Sequence, residues 1–313
     1  MSTISKARAL RAVPATSRRR HRLGGRRQAF WATVFLAPAL IAIGALRLAP
    51  TISAVGSSLY QGFPGGIIPA TFAGFANYEQ LFADPDFIAT IWRTIGFNLI
   101  INPLQVILAL LIAVVMTQRI HLSGVWRTLV FIPVTIPLVG SSIAWGAALQ
   151  PDGPVNSIIS ALGGQPQPFF TSPSQALGSI IVLASWVGIG FWMIFLIAGV
   201  QAIPPELYEA ARLDRAGPVR TFFQITIPQL KRPLLFVLVA DTVSNFVLFV
   251  PMQLLTMGGP QHSTTVLMFN AWQTTFAFGS RNLGAAQVVI LTAIMLVFVL
   301  LQFRLLREDS ERS

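Results

Sequence analysis

Apolar runs as long as a bilayer is thick recur along this chain, and they restrict its folds more than any other feature. A hydrocarbon core of about 30 Å needs roughly 20 mostly apolar residues at about 1.5 Å of helix rise each. Runs of that kind lie at about 30–50, 94–117, 128–149, 176–200, 233–256 and 284–303. The first is expected to continue as helix toward Tyr60. The chain is 54% hydrophobic and only 11% charged. Soluble domains carry about 25% charged residues, so little of this surface is built to face water. The fold class read here is all-α: a polytopic transmembrane helix bundle of six spans. A large soluble enzyme with a buried core is set aside on the same grounds.

Charge placement orients the bundle. Of the 22 Lys and Arg residues, all but Arg47, Arg93 and Arg281 fall in four segments. These are a tail holding Lys6, Arg8, Arg11, Arg18, Arg19, Arg20, Arg22, Arg26 and Arg27, then segments 118–127 and 201–232, and the carboxyl end. Glu79, Asp84, Asp86 and Asp152 lie in the intervening loops. The positive-inside rule then puts both termini in the cytoplasm. The expected organisation is a basic tail 1–29, a first transmembrane helix 30–60, an extracytoplasmic loop 61–92, a transmembrane domain 90–304 and a tail 305–313. The basic tail reads as a membrane anchor rather than a nucleic-acid binder, because an apolar span follows it directly. That span is long and lacks a small-residue cleavage site, so it reads as a retained helix.

Several kinds of chemistry are missing. There are no cysteines, hence no thiolate site or cysteine nucleophile. His21, His121 and His262 lie far apart, without metal-ligand spacing. No paired acids or nucleophile–base arrangement supports an enzyme, and no phosphate-cradling Gly-x-x-x-x-Gly-Lys motif occurs. The chain is expected to be non-catalytic and to bind no cofactor of its own.

Ionisable groups at membrane depth are costly and worth explaining. Asp241 falls inside the fifth run, and Ser244 and Asn245 share its helical face. The stripe suits either a translocation path or an interhelical contact that fixes packing. Trp145, Trp186, Trp192, Phe191 and Trp272 are candidate platforms for a sugar ring, or interfacial anchors in the case of the tryptophans. Arg47, near the outer end of the first run, reads as snorkelling to the headgroups. Pro38, Pro103, Pro133, Pro137 and Pro251 interrupt apolar runs and are expected to bend them.

The cytoplasmic stretch "YEAARLDRAGPVRTFFQITIPQLKRP" at 208–233 is a charged island between two apolar runs. Pro204 and Pro205 suit a helix start, and Glu206 and Glu209 favour its first turns. Gly217-Pro218 is expected to stop that helix, and a second short piece should run to Pro228. Such a loop either lies passively on the membrane or docks a soluble partner.

The island resembles the EAA loop of binding-protein-dependent ABC importer permeases. Glu209, Ala210, Ala211, Asp214, Ala216, Ile225 and Pro228 match that family's pattern, and Ile227 stands for its leucine. Arg215 stands where the pattern has glycine; Gly217 is the nearby residue expected to supply the turn instead. "FAGFANYEQLFADPDF" and "LLTMGGPQHSTTVLMFNAWQTTFAF" are similar to segments of the carbohydrate-uptake branch. The resemblance implies a type I ABC transmembrane domain over 90–304, with a coupling loop at 204–228. It further implies a second homologous permease as heterodimer partner, two cytosolic ATPase subunits that use ATP and Mg, and an extracytoplasmic solute-binding protein. The solute would be a sugar: an oligosaccharide, polyol or glycerol-phosphate-like compound. The implied location is the cell membrane of a prokaryote, with the lipid bilayer as surroundings. Glu209 is implied as the ionic contact to the ATPase. A stand-alone ion-coupled carrier is the alternative; it would show internal repeats and coupling-ion ligands.

Overall fold

A computed structural model of the chain describes residues 25–62, 69–118 and 121–307. The basic tail up to Arg22, together with Arg119, Arg312 and the last six residues, lies outside them. The chain divides into two compact units, residues 1–52 and 53–313. The first holds helix α1 (Gly25–Ile43), a π turn at Gly44–Leu48 and the start of α2 (Ala49–Ser57), which runs on into the second. Helix thus begins before residue 30, and Pro38 sits inside it without ending it. Arg47 is exposed in the π turn.

The second unit opens with a two-residue hairpin, β1 (Tyr60–Gln61) and β2 (Thr71–Phe72), paired antiparallel. Asn77, on the short helix α3 (Ala76–Ala83), is buried and donates to the carbonyls of Ser58 and Tyr60, each at 2.8 Å. These bonds lock the "FANYEQLF" segment against the end of the preceding helix. Helix α4 (Pro85–Thr117) follows, with Asp84 accepting from the Asp86 amide at its start and Pro85 in the first turn, where no donor is missed. At 33 residues and about 1.5 Å each, it is longer than a bilayer core is thick. Residues 85–92, expected in an outer loop, are therefore helix, and Pro103 lies within it.

The third apolar run is not one straight helix. It forms α5 (Ser123–Thr135) and α6 (Leu138–Ala148), bent by 98°. Pro137 forces Ile136 out of the helical region, and Ile136 is extended at φ −87°, ψ 126°. A short α7 (Pro154–Ala161) and a 3₁₀ turn at Phe169–Thr171 lead to α8 (Ala176–Gln201). Gly190 of α8 abuts α5: a Cβ there would collide with the Val130 carbonyl. Then come α9 (Pro205–Leu213), α10 (Pro218–Thr221), a π turn at Phe222–Thr226, α11 (Ile227–Gln229) and α12 (Lys231–Phe246). The fifth run also departs from expectation. Helix α12 ends at Phe246, because Pro251 offers no N–H to the Val247 carbonyl, and helix resumes only at Val250. Helices α13 (Leu267–Trp272) and α14 (Arg281–Arg307) complete the unit, α14 running past the expected end of the sixth run.

Among the described residues, four helices are long and apolar enough to cross a membrane, and up to six spans result if each bent pair counts as one. Helix α4 packs along α8 and α12, α8 also against α5, and α14 against α12 and α13. Three apolar clusters hold them. One joins Ala109 and Ala113 to Met193, Leu196, Leu230 and Val237. A second joins Phe97 and Ile101 to Ile180, Met252 and Phe269. The third gathers Leu81, Phe87, Phe246, Leu267 and Ile290. Large apolar side chains also face outward, among them Leu99, Ile143 and Phe236. Such continuous apolar exposure marks a surface that lipid or another chain covers.

Candidate functional site

Two places gather polarity in this apolar chain. The first is the loop from Pro204 to Leu230. Helix α9 is amphipathic over its two turns: Ala211 is buried, and Leu207 and Tyr208 pack on the first apolar cluster. Glu206, Glu209, Ala210 and Leu213 face outward. Tyr208 Oη lies 3.1 Å from Thr226 Oγ1 and ties α9 to the π turn. That wide turn comes just before Pro228, whose ring would otherwise meet the carbonyl one tight turn back. Ile225 is half-buried there and Pro228 is exposed. Helix resumes at Lys231 after a 73° bend at Leu230, so the second piece ends at Gln229 rather than at Pro228.

The expected role of Gly217 needs correction. Helix α9 ends at Leu213, with Asp214 as its cap. Arg215 takes the left-handed conformation at φ 56°. Its amide donates to the Arg212 carbonyl at 3.0 Å, and the Ala216 amide donates to Ala211 at 2.8 Å. This bond pair is the Schellman ending, and Arg215 occupies the position where glycine is favoured. Gly217 is extended at φ −68°, ψ 164° and caps the start of α10, with Pro218 as its first residue. The turn is therefore made at the pattern's own position, by an arginine.

Around this frame apolar side chains stand in the open. Leu213 is 85% exposed, Val219 71% and Phe223 62%. Three large apolar groups beside Glu209 and Ala210 make a face suited to another protein surface.

The second place is a buried cluster between α4, α8 and α12. Asp241 and Asn245 of α12 are in it, both buried. Asp241 Oδ1 accepts from Trp192 Nε1 at 2.6 Å and from Asn245 Nδ2 at 3.2 Å. Asn245 Nδ2 also reaches Asn102 Oδ1 at 2.8 Å and Gln105 Oε1 at 3.3 Å. Asn102 Nδ2 and Gln302 Nε2 donate to Thr242 Oγ1, at 3.1 and 2.7 Å. Asp241 Oδ2 is buried and has no hydrogen-bond partner among the described residues. Beside the cluster opens a cavity of about 250 Å³, lined by Gln105, Gly188, Trp192, Asp241, Ser244 and Asn245 among others.

The two readings of the Asp241 stripe thus coexist: it ties helices together and it borders a cavity. Ser244 lines the cavity but is exposed, and its hydroxyl donates to the Ala240 carbonyl at 2.9 Å. Trp186 does not join this group. It packs on Trp145, with ring centroids 5.8 Å apart. Asn98, Asn102 and Gln105 were not singled out from the sequence, although their i, i+4, i+7 spacing in an apolar run marks a polar stripe. Trp192, read from sequence as a ring platform or an interfacial anchor, is buried, and its indole N–H donates to Asp241.

The "LLTMGGPQHSTT" segment folds into a knot of threonines. Thr256 Oγ1 and Thr264 Oγ1 lie 2.7 Å apart, and Thr265 Oγ1 donates to the Gly258 carbonyl at 3.0 Å. Gly258 sits at φ 85°, and a Cβ there would press on Phe269 and Thr265.

Bilayer-length apolar helices with large apolar side chains facing outward mark an integral membrane protein. Residues 103–308 match the model of the family described as binding-protein-dependent transport system inner membrane component, and the chain belongs to that family. It is similar to the sulfoquinovosyl glycerol transport system permease protein SmoG of Agrobacterium fabrum, at 32% identity over 278 residues, covering 88% of this chain and 90% of that protein. It is also similar to the lactose transport system permease protein LacF of Rhizobium radiobacter, at 33% identity over 281 residues, covering 88% and 93%. In fold it matches a chain of a bacterial alginate ABC transporter, solved in complex with an alginate pentasaccharide-bound periplasmic protein. The TM-score is 0.78 at 21% identity, over 90% of this chain and 96% of that one. The chain is therefore a permease subunit of a binding-protein-dependent ABC importer and not itself an enzyme. This membership sets the ion-coupled carrier aside.

Proposed function

We propose that this permease carries a sugar inward across the cell membrane of a prokaryote, through six spans with both termini in the cytoplasm. It works beside a second homologous permease, above two cytosolic ATPase subunits, and receives the solute from an extracytoplasmic binding protein. ATP and Mg act on the ATPase subunits, and this chain needs no cofactor. Similarity to a lactose and to a sulfoquinovosyl glycerol permease supports the sugar assignment. The domain layout is the one read from sequence, with the basic tail and its charges on the inner side.

The observation that carries the reading is the α9 face. Glu209, Ala210, Asp214 and Arg215 are exposed beside Leu213 and Val219, while Ala211, Tyr208 and Phe222 fix the loop to the core. A loop anchored on one side and apolar on the other transmits a push into the bundle. Glu209 makes the ionic contact to the ATPase. Gly217, Ile225 and Pro228 shape the loop rather than touch the partner. Inside the membrane, the cavity beside Asp241, Ser244 and Asn245 belongs to the solute path, with Trp186 further along it.

The test is Glu209→Lys in the assembled transporter. Uptake and solute-stimulated ATP hydrolysis should be lost while the subunit still inserts and accumulates in the membrane. Unchanged uptake would remove Glu209 from the interface.

A further inference from the structure

We infer that the cavity at the outer ends of α3, α4, α13 and α14 is a headgroup site for a zwitterionic aminophospholipid, which sets its phosphate at Arg93 and its ammonium at Asp84 and Asp86. This cavity shares no lining residue with the one beside Asp241. The inference rests on the orientation proposed above, which puts this end of α4 outside.

The first argument is charge. The cavity holds about 560 Å³, within the roughly 300–1,000 Å³ of small-molecule sites. Its ionisable lining is Asp84, Asp86, Arg93 and His262. Arg93 is half-buried, and its Nη1 donates to Thr90 Oγ1 at 3.2 Å and to the Thr265 carbonyl at 3.5 Å, both neutral acceptors. No carboxylate among the described residues pairs with it. A half-buried guanidinium without a counter-ion calls for an anion, and its planar fork fits phosphate. Asp84 and Asp86 stand exposed about two turns further out on the same helix, where two carboxylates suit an ammonium.

The second argument is the hydrogen-bond inventory. Gln287 lines the cavity and is 3% exposed, and its Oε1 is buried without a partner. Its Nε2 makes no hydrogen bond among the described residues either, and it is the end of the amide left open to the cavity. Asn270 and Gln273, half-buried on the same wall, also have side-chain amides free of hydrogen bonds among the described residues. The hydroxyls of Thr90 and Thr265 are already spent on the carbonyls of Asp86 and Gly258. An amide alone can serve a donor or an acceptor. Beside Arg93, these N–H groups complete a donor set for phosphate oxygens, which only accept.

The third argument is depth. By helix rise, Arg93 lies about 36 Å along α4 from its inner end at Thr117, and Asp86 about 46 Å. A bilayer is about 30 Å thick in its hydrocarbon and about 40–45 Å with both headgroup layers. With Thr117 at the inner edge of the hydrocarbon, Arg93 falls in the outer headgroup layer and Asp86 just beyond it. That is the order of phosphate and ammonium in an outer-leaflet aminophospholipid. Gly96 and Ile100 follow Arg93 inward on the same side of α4. A Cβ on Gly96 would meet nothing within 4 Å, and Ile100 is 57% exposed. Acyl chains lie along this open apolar strip. A soluble zwitterion, or a protein partner entering from outside, would leave it bare.

The experiment is native mass spectrometry of the whole complex, this chain with its partner permease and ATPase subunits, stripped of lipid in detergent. The probes are dioctanoyl phosphatidylethanolamine, dioctanoyl phosphatidylglycerol and free phosphoethanolamine. The ethanolamine lipid should bind at least about tenfold more tightly than the glycerol lipid, which lacks the ammonium, and than phosphoethanolamine, which lacks the chains. Arg93→Gln should weaken both lipids by about tenfold. Asp84→Asn with Asp86→Asn keeps a good helix cap. It should erase the preference for ethanolamine while the glycerol lipid binds as tightly or more so, a pattern that a loosened fold does not produce. Equal binding of the two lipids by the native complex overturns the inference, as does a preference that the paired Asn variant leaves unchanged. Phosphoethanolamine binding as tightly as the lipid also overturns it, because the ligand is then a soluble one. If Arg93→Gln spares lipid binding but abolishes ATP hydrolysis stimulated by the solute-loaded binding protein, the cavity belongs to that partner instead. The chain has no cysteine, so Glu79→Cys, at an exposed position of α3, reports the orientation separately. Labelling of intact spheroplasts by a membrane-impermeant maleimide supports the outward placement. Absence of labelling removes the orientation and the lipid site together, whereas labelling without a lipid preference removes the lipid site alone.

Discussion

The loop at 204–230 and the polar cluster of α4, α8 and α12 hold most of the unusual chemistry of this chain, and they direct it oppositely. The loop keeps its hydrogen bonds internal and leaves apolar side chains in the open, with Leu213 at 85% exposure. The cluster buries its polar side chains, and Asp241 Oδ2 and Gln302 Oε1 are buried without a hydrogen-bond partner among the described residues. In water, exposed apolar area is what drives association. At membrane depth, a polar atom without a partner is costly, so polar side chains there pair with one another across helices. On that difference rest the proposals that the loop meets a protein partner and that the cluster borders the solute path.

The comparison can be broken or sharpened by substitution. The largest effect is expected from Glu209→Lys, which should stop uptake with no loss of folded protein; a fall in the melting temperature of the purified subunit would show that the loop is structural instead. Asp241→Leu should do the reverse and cost stability. It leaves the Trp192 indole N–H without its acceptor, a loss of about 1–3 kcal/mol, read as lowered resistance to denaturant in detergent. Arg215→Gly should stabilise the loop by up to about 1 kcal/mol, since a non-glycine residue carries a left-handed penalty of that order. Uptake should be retained. If uptake collapses instead, the Arg215 side chain itself contacts the partner. The smallest effect belongs to a double-mutant cycle on Asn102→Leu and Asn245→Leu. Interhelical hydrogen bonds in membranes couple by about 0.6 kcal/mol, and a coupling near zero would mean the 2.8 Å contact between α4 and α12 contributes nothing to their association.

Much of the loop was legible because its signals are short-range. Pro205 at a helix start and the apolar spacing of Leu207, Tyr208 and Ala211 act within a few residues. The misreading of the turn came from backbone conformation. Sequence favours glycine for a left-handed turn, so Gly217 looked like the stop, yet the Schellman bonds set Arg215 there. Proline was also read too uniformly. Pro38 and Pro103 sit inside continuous helices, whereas Pro137 accompanies a 98° bend. A proline removes one donor, and whether the helix breaks depends on what packs around the freed carbonyl.

The cluster was legible only in part. Asp241 and Asn245 stood out as polar groups in an apolar run, but their partners lie far away in sequence, 49 residues back to Trp192 and 143 back to Asn102. The spacing of Asn98, Asn102 and Gln105 marks a polar stripe, but nothing local says which residue each of them meets. By itself the sequence determined the class of molecule, because bilayer-length apolar runs, lopsided charge and helix-start signals are properties of contiguous residues. The tertiary structure decided which prolines break, which residue makes the loop turn and which side chains face one another across α4, α8 and α12. Those outcomes depend on contacts between helices distant along the chain, and hydrogen-bond partners at that separation are fixed only when the helices pack.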